Sequence, residues 1–319
     1  VFIALIGSNL LIGFGNMESC FLLIASIPAF IGGLIEDLTK RFGVFLRLFF
    51  TMLSASIGVY LLGALIVRID IPYIDYLLSS PSIFSLIFAY TFTLFSVGGI
   101  ANAINIIDGF NGIAGMISLI TFLALGYISY LVGDLFIFHV CLAVSGAVMG
   151  FLVWNYPNGL IFLGDGGAYL LGFLIAEISV LLVNRHPEVS PWFPMMLVVY
   201  PFTETIYSIY RRKFLKNRPT YLPDALHLHT LIYRRIVRLM SDSNQLECRV
   251  KLNSMTAPYL WILSLMSVIP AILFWQNTVV LICLVITFIW FYIWLYGRLV
   301  QFKAPKYLFR KLIGRYFKL

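Results

Sequence analysis

The chain has 319 residues, 61% of them hydrophobic and 11% charged, where an average soluble domain carries about 25% charged residues. Its mean hydropathy is +0.95 and its net charge +8. These values exclude a soluble globular domain and imply one all-α integral membrane domain, a polytopic bundle of about ten transmembrane helices. No nucleic-acid partner is expected.

The apolar segments fall at 1–13, 19–36, 47–67, 84–103, 112–131, 135–154, 167–183, 192–209, 257–275 and 278–296. Each complete one approaches the ~20 residues that a bilayer demands. The first begins at Val1 inside an apolar run, without Met or a charged leader, and is expected to be a shortened segment rather than a signal peptide. Cys20, Cys141, Cys248 and Cys283 show no metal-binding spacing and read as small hydrophobes. No internal repeat is apparent.

The second segment ends in GGLIEDLTK, where Glu36 and Asp37 sit side by side at the mouth of a membrane helix. Adjacent acids there suggest a general base or a cation site. The plainer alternative is a solvated helix end, with Lys40 neutralising Glu36 one turn on.

The fourth segment runs into NAINIIDGFNGIAG, residues 102–115. Asn102, Asn105, Asp108 and Asn111 recur every three residues, which on a helix keeps them on one slowly drifting face. In lipid such a stripe must face protein, water or an ion. A polar seam gluing helices together is the other reading.

Asp165 lies among glycines in FLGDGGAYLLGF, residues 162–173, just before an apolar helix. Accessible backbone N–H groups and a helix N-terminus favour anions, so Asp165 suits a divalent cation bridging to a phosphate. A simple N-cap is the alternative. Deeper in that segment, Glu177 has no evident partner and is expected to face the bundle interior or to be protonated. Glu204 follows Pro201, close to Arg211 and Arg212, and is expected either to pair with them or to face the site.

A long loop, 210–256, carries RRKFLKNRP and then PDALHLHTLIYRR. His227 and His229 at i, i+2 do not share a helix face, so anion binding with the nearby arginines fits better than zinc. A solvated basic loop is the alternative. His139 and His186 read as structural. A basic tail spans 298–319.

Alternating connections put 20 of the 22 Lys and Arg residues on one face, with Arg68 and Arg185 on the other. Positive-inside bias assigns the first face, which carries every motif above, to the cytoplasm. The basic tail then reads mainly as topology and contact with anionic membrane lipid.

Taken together and in this order, GGLIEDLTK, NAINIIDGFNG, FLGDGGAYLLGF and PDALHLHT resemble the motif set of the polyprenyl-phosphate N-acetylhexosamine-1-phosphate transferases, closest to their WecA-type members. The resemblance implies an enzyme of the bacterial inner membrane with its active site facing the cytoplasm. It implies transfer of a sugar 1-phosphate from a UDP-sugar to undecaprenyl phosphate, releasing UMP, with magnesium (or manganese) as cofactor. Initiation of O-antigen or capsule-type polysaccharide follows, and the family offers a homodimer.

Carried over residue by residue, the resemblance makes Glu36, Asp37, Asp108 and Asp165 catalytic. It places Asp165, Asn105 and Asp108 at the metal, and Lys40, Asn102, Asn105, Asn111, His227, His229, Arg211 and Arg212 at the substrates. Three departures stand out. Glu36 replaces an Asp, Asn111 replaces an acid, and the third His of the family's His motif is Thr230 here. The competing readings are a transporter or lipid flippase, with polar residues near the midplane, and an MraY-type phospho-MurNAc-pentapeptide transferase.

Overall fold

A computed structural model describes residues 17–40, 43–215, 226–237 and 252–301. The first predicted segment, Cys248, most of the basic tail, and 216–225 and 238–251 of the long loop lie outside these residues. The helices are α1 (Met17–Thr39), α2 (Val44–Leu62), α3 (Pro72–Ser79), α4 (Ile83–Ile107), α5 (Ile113–Leu131) and α6 (Leu135–Asn155). There follow α7 (Gly164–Arg185), α8 (Trp192–Leu197), α9 (Val199–Tyr210), α10 (Leu228–Arg235), α11 (Ala257–Leu273) and α12 (Thr278–Gln301). A π-helical turn, Arg211–Leu215, extends α9.

Eight of these, α1, α2, α4, α5, α6, α7, α11 and α12, are long and apolar enough to cross a membrane. The protein is an all-α polytopic membrane protein. The predicted segment 192–209 is instead two short helices broken at Val198. Pro201 is the physical reason: it has no N–H to give the carbonyl of Leu197, and its ring would clash there in a continuous helix. The pair still runs from one end of the bundle to the other. Trp192 donates to the carbonyl of Ile69 at the Arg68 end, whereas Arg211 reaches Leu226 at the opposite end.

Helix α7 is the axis of the bundle. Of the residues in its most apolar stretch, 94% are buried, against 22% for α2 and α12. An intramembrane acid, Glu177, and close-packing glycines are what suit it to the interior. Glycines let its neighbours approach at backbone distance, as small residues do in membrane bundles. A Cβ on Gly172 would lie 2.6 Å from the Cα of Ala101 on α4. One on Gly33 of α1 would lie 2.5 Å from the carbonyl carbon of Asp165.

Glu177 faces the bundle interior, one of the two expectations above. It is fully buried against Gly58 of α2, and neither carboxyl oxygen has a partner among the described residues.

The two basic residues of the Arg68 end are neutralised locally. Arg68 lies 3.4 Å from Asp70 and donates to the carbonyls of Pro187 and Val189. Arg185 lies 3.1 Å from Glu18 and 3.6 Å from Asp134. His186 sits 3.2 Å from Asp134 in the same network.

Candidate active site

The site forms at the other end, where α1 ends, α4 ends and α7 begins. Helix α7 starts without a side-chain cap of its own, which leaves its first N–H groups in need of acceptors. Asp37, in the last turn of α1, supplies them across the interface. Its Oδ1 accepts from the Asp165 N–H at 2.9 Å and its Oδ2 from the Gly166 N–H at 3.0 Å. Gly164, at φ +69, makes room: a Cβ there would lie 2.6 Å from Asp37 Oδ2. Asp37 thus caps α7, and Asp165 is released from that duty.

The Asp165 carboxylate faces two donors. Arg47, in the first turn of α2, approaches Oδ2 at 2.7 Å, and the Asn105 amide donates to Oδ1 at 2.8 Å. Arg47 also lies 3.9 Å from Glu36. Arg47 is a site residue that the motifs alone do not reveal. The available signal was a lone guanidinium in the apolar run VFLRLFF, where a charge needs a partner. Lys40 ends α1 in a left-handed conformation, exposed, with its N–H bonded to the Glu36 carbonyl.

Asp108 closes α4, with its N–H on the carbonyl of Asn105. Burial first, then the charges of Asp165 and Asp37, push its carboxyl up to about 7. The physical content is a carboxyl taken out of water with two other acids close by. Among the described residues no three His, Cys, Asp or Glu side chains gather closely enough to hold a metal by themselves. The atoms suited to a hard cation are the Asp108 and Asp165 carboxylates and the Asn105 amide oxygen. This oxygen set fits magnesium, which keeps several waters and shares its shell with substrate phosphates.

The polar stripe splits because α4 stops at Ile107. Asn102 and Asn105 stay on its last turns, and Asn102 accepts from the Tyr169 hydroxyl at 3.3 Å. Asn111, past the turn, swings away. Its N–H donates to Asn253 at 2.9 Å and its amide to Ser254 at 3.3 Å, in a buried junction that fixes the start of α11.

The histidine pair docks onto the same turn. His229 packs its ring 5.3 Å from that of Phe110, and a Cβ on Gly109 would lie 2.6 Å from His229 Nε2. His227 stacks on His229, ring centres 5.3 Å apart and 17° from parallel. The two share no helix face, yet they meet because His227 is the N-cap of α10 and His229 lies in its first turn. Arg211 is buried: it donates to the Leu226 carbonyl at 2.5 Å and to the Tyr296 hydroxyl, bracing the approach to α10. Arg212 donates to the Ser208 carbonyl at 3.4 Å.

Fold and site define a polytopic helical membrane protein with acids, amides, imidazoles and a guanidinium gathered at one end of its bundle. Residues 19–183 match the family described as glycosyl transferase family 4, and the chain belongs to that family. That stretch holds Asp37, Asn105, Asp108 and Asp165 but not His227 or His229. The chain is 28% identical over 222 residues to the undecaprenyl-phosphate alpha-N-acetylglucosaminyl 1-phosphate transferase of Escherichia coli K12, covering 68% of this chain and 58% of that protein. It is 30% identical over 211 residues to the Thermotoga maritima protein of the same name, covering 66% and 60%. A Bacillus subtilis protein named probable undecaprenyl-phosphate N-acetylglucosaminyl 1-phosphate transferase is 32% identical over 142 residues, covering 44% and 39%. The chain thus spans 39 to 60% of the length of these relatives.

Proposed function

We propose that the protein transfers a sugar 1-phosphate, N-acetylglucosamine 1-phosphate first among candidates, from its UDP-sugar to undecaprenyl phosphate, in the first step of a cell-surface polysaccharide. The observation that carries this reading is the meeting of Asp37, Asn105, Asp108, Asp165 and the His227–His229 pair at one end of the bundle. They come from connections far apart in sequence. The names of the relatives support the same transferred group and acceptor, and favour them over a phospho-MurNAc-pentapeptide. A transporter is disfavoured because the cluster sits at a membrane face rather than the midplane.

Two anions must meet here, a lipid phosphate and a nucleotide diphosphate. Asp165, Asp108 and Asn105 would hold magnesium, which when bound offsets charge on the diphosphate. Asp37 fixes the backbone of Asp165 so that its carboxylate holds one orientation. Arg47 balances Asp165 and Glu36. The imidazoles of His227 and His229 offer donors to phosphate oxygens. A lipid phosphate oxygen then attacks the β-phosphorus, and the bond to the α-phosphate bridging oxygen breaks to release UMP. The protein contributes positioning and charge stabilisation. Positive-inside bias sets this chemistry on the cytoplasmic side of the inner membrane.

The test is UMP release by the purified protein given UDP-N-acetylglucosamine, undecaprenyl phosphate and magnesium. EDTA-sensitive release is expected, and Asp165→Ala should abolish it with helical content unchanged. Silence across a panel of UDP-sugars would overturn the proposal, and near-normal turnover in Asp165→Ala would remove that residue from the mechanism.

A further inference from the structure

Glu204 is an acid that the mechanism above leaves without work. It sits on α9, three residues after Pro201, and is 1% exposed. It pairs with neither of the arginines nearest in sequence. Its Oε1 lies 2.8 Å from His227 Nδ1. Its Oε2 accepts from the Leu228 N–H at 3.1 Å and from the Tyr292 hydroxyl of α12 at 2.7 Å. A backbone N–H can only donate, so the carboxylate acts as acceptor in this nest, and the proton of the His227 contact belongs on Nδ1.

We propose that Glu204 is a positioning residue for His227. Together with Tyr292 it fixes the ring through its Nδ1–H and stabilises the cationic imidazolium, whose Nε2–H is the donor left for the diphosphate of the sugar donor. The inference rests on the transferase reading for the ligand, but the ring geometry stands without it. The lever extends further. Glu204 ties α9, α12 and the first N–H of α10 to one imidazole. That imidazole stacks on His229, which packs against Gly109 beside Asp108. The broken helix finds a use here, since α9 is a short separate rod whose acid can be aimed independently of α8. A carboxylate that orients an imidazole through its other nitrogen commonly changes the imidazole's function by about 10- to 100-fold when removed, as known for metal-binding histidines.

Glu204→Gln keeps the shape and can still accept the Nδ1–H, but it is neutral and no longer offsets the charge of an imidazolium. We expect KM for the UDP-sugar to rise about 10-fold or more, with KM for undecaprenyl phosphate unchanged. In a His227→Ala background the same substitution should cost less than about 2-fold, because the residue it acts through is gone. Equal loss toward both substrates, or losses that multiply in the double variant, would reduce Glu204 to a packing role and overturn the proposal.

A second readout needs no turnover. In histidine-labelled protein, nitrogen NMR should show His227 protonated at Nδ1, assigned by its disappearance in His227→Ala, and Glu204→Gln should change that signal. An unchanged His227 signal overturns the proposal. Should the wild type release no UMP, the transferase reading fails while this measurement still judges Glu204. Tyr292→Phe, which deletes one hydroxyl, gives the same comparison at about 3-fold if Glu204→Gln does not fold.

Discussion

At the residue scale, Asp108 reports the electrostatic state of the site. Its carboxyl is pushed up to about 7, so between roughly pH 4 and 7 the folded protein holds a proton there that the unfolded chain has released. Stability therefore falls as pH rises through that window, and the full cost is present above it. Asp108→Asn removes the titration. In metal-free protein its melting temperature should gain on the wild type from pH 5 to about pH 7 and hold level above, and a difference flat with pH throughout would refute the assignment. Arg47 is the complementary case. It is the cation 2.7 Å from Asp165 and 3.9 Å from Glu36. Arg47→Ala should lower kcat by roughly 100-fold, as loss of a charge-stabilising donor does. Arg47→Lys should recover part of it, since a point charge replaces a planar fork. Steady-state UMP release measures both.

At the scale of elements, the site depends on how closely α1 meets α7. Asp37 can cap α7 only because Gly33, one turn earlier, lets the two backbones touch. A methyl at Gly33 would fall 2.5 Å from the backbone of Asp165, which cannot yield as a flexible side chain would. Gly33→Ala should cost about 1–3 kcal/mol and take activity with it, by prying the cap away from Asp165. Gly146 on α6 is the control. Nothing lies within 4 Å of its added methyl, so Gly146→Ala should be neutral or slightly stabilising. Thermal melting in detergent, read beside UMP release, separates the two.

At the scale of the whole molecule, each long helix carries the chain from one face to the other, and the polar chemistry divides with it. Ser79 lies at the Arg68 end and Asn158 at the site end, both exposed. With the four native cysteines replaced, Ser79→Cys should react with a membrane-impermeant maleimide on intact cells, and Asn158→Cys only after permeabilisation. The opposite pattern would invert the topology. The basic face and the candidate-site face are the same face, so the anionic lipid and substrates of the proposed reaction would be drawn to one surface.

Hydropathy and the spacing of polar residues are local properties, and they determined the helical class, the eight long spans among the described residues and the end at which the polar cluster lies. Asn105, Asp108 and Asp165 were legible because a polar residue beside a membrane segment has few inexpensive explanations. Partner choice was not legible, because it depends on how each helix is rotated and how near its neighbours come. The same stripe that marked Asn105 also marked Asn111, until the end of α4 turned Asn111 into a different junction. Asp37 as a cap, Arg47 as a counter-ion and Glu204 beneath His227 are each contacts between helices distant in sequence. Only the packing around α7, and the break that proline imposes between α8 and α9, brought those pairs within bonding distance.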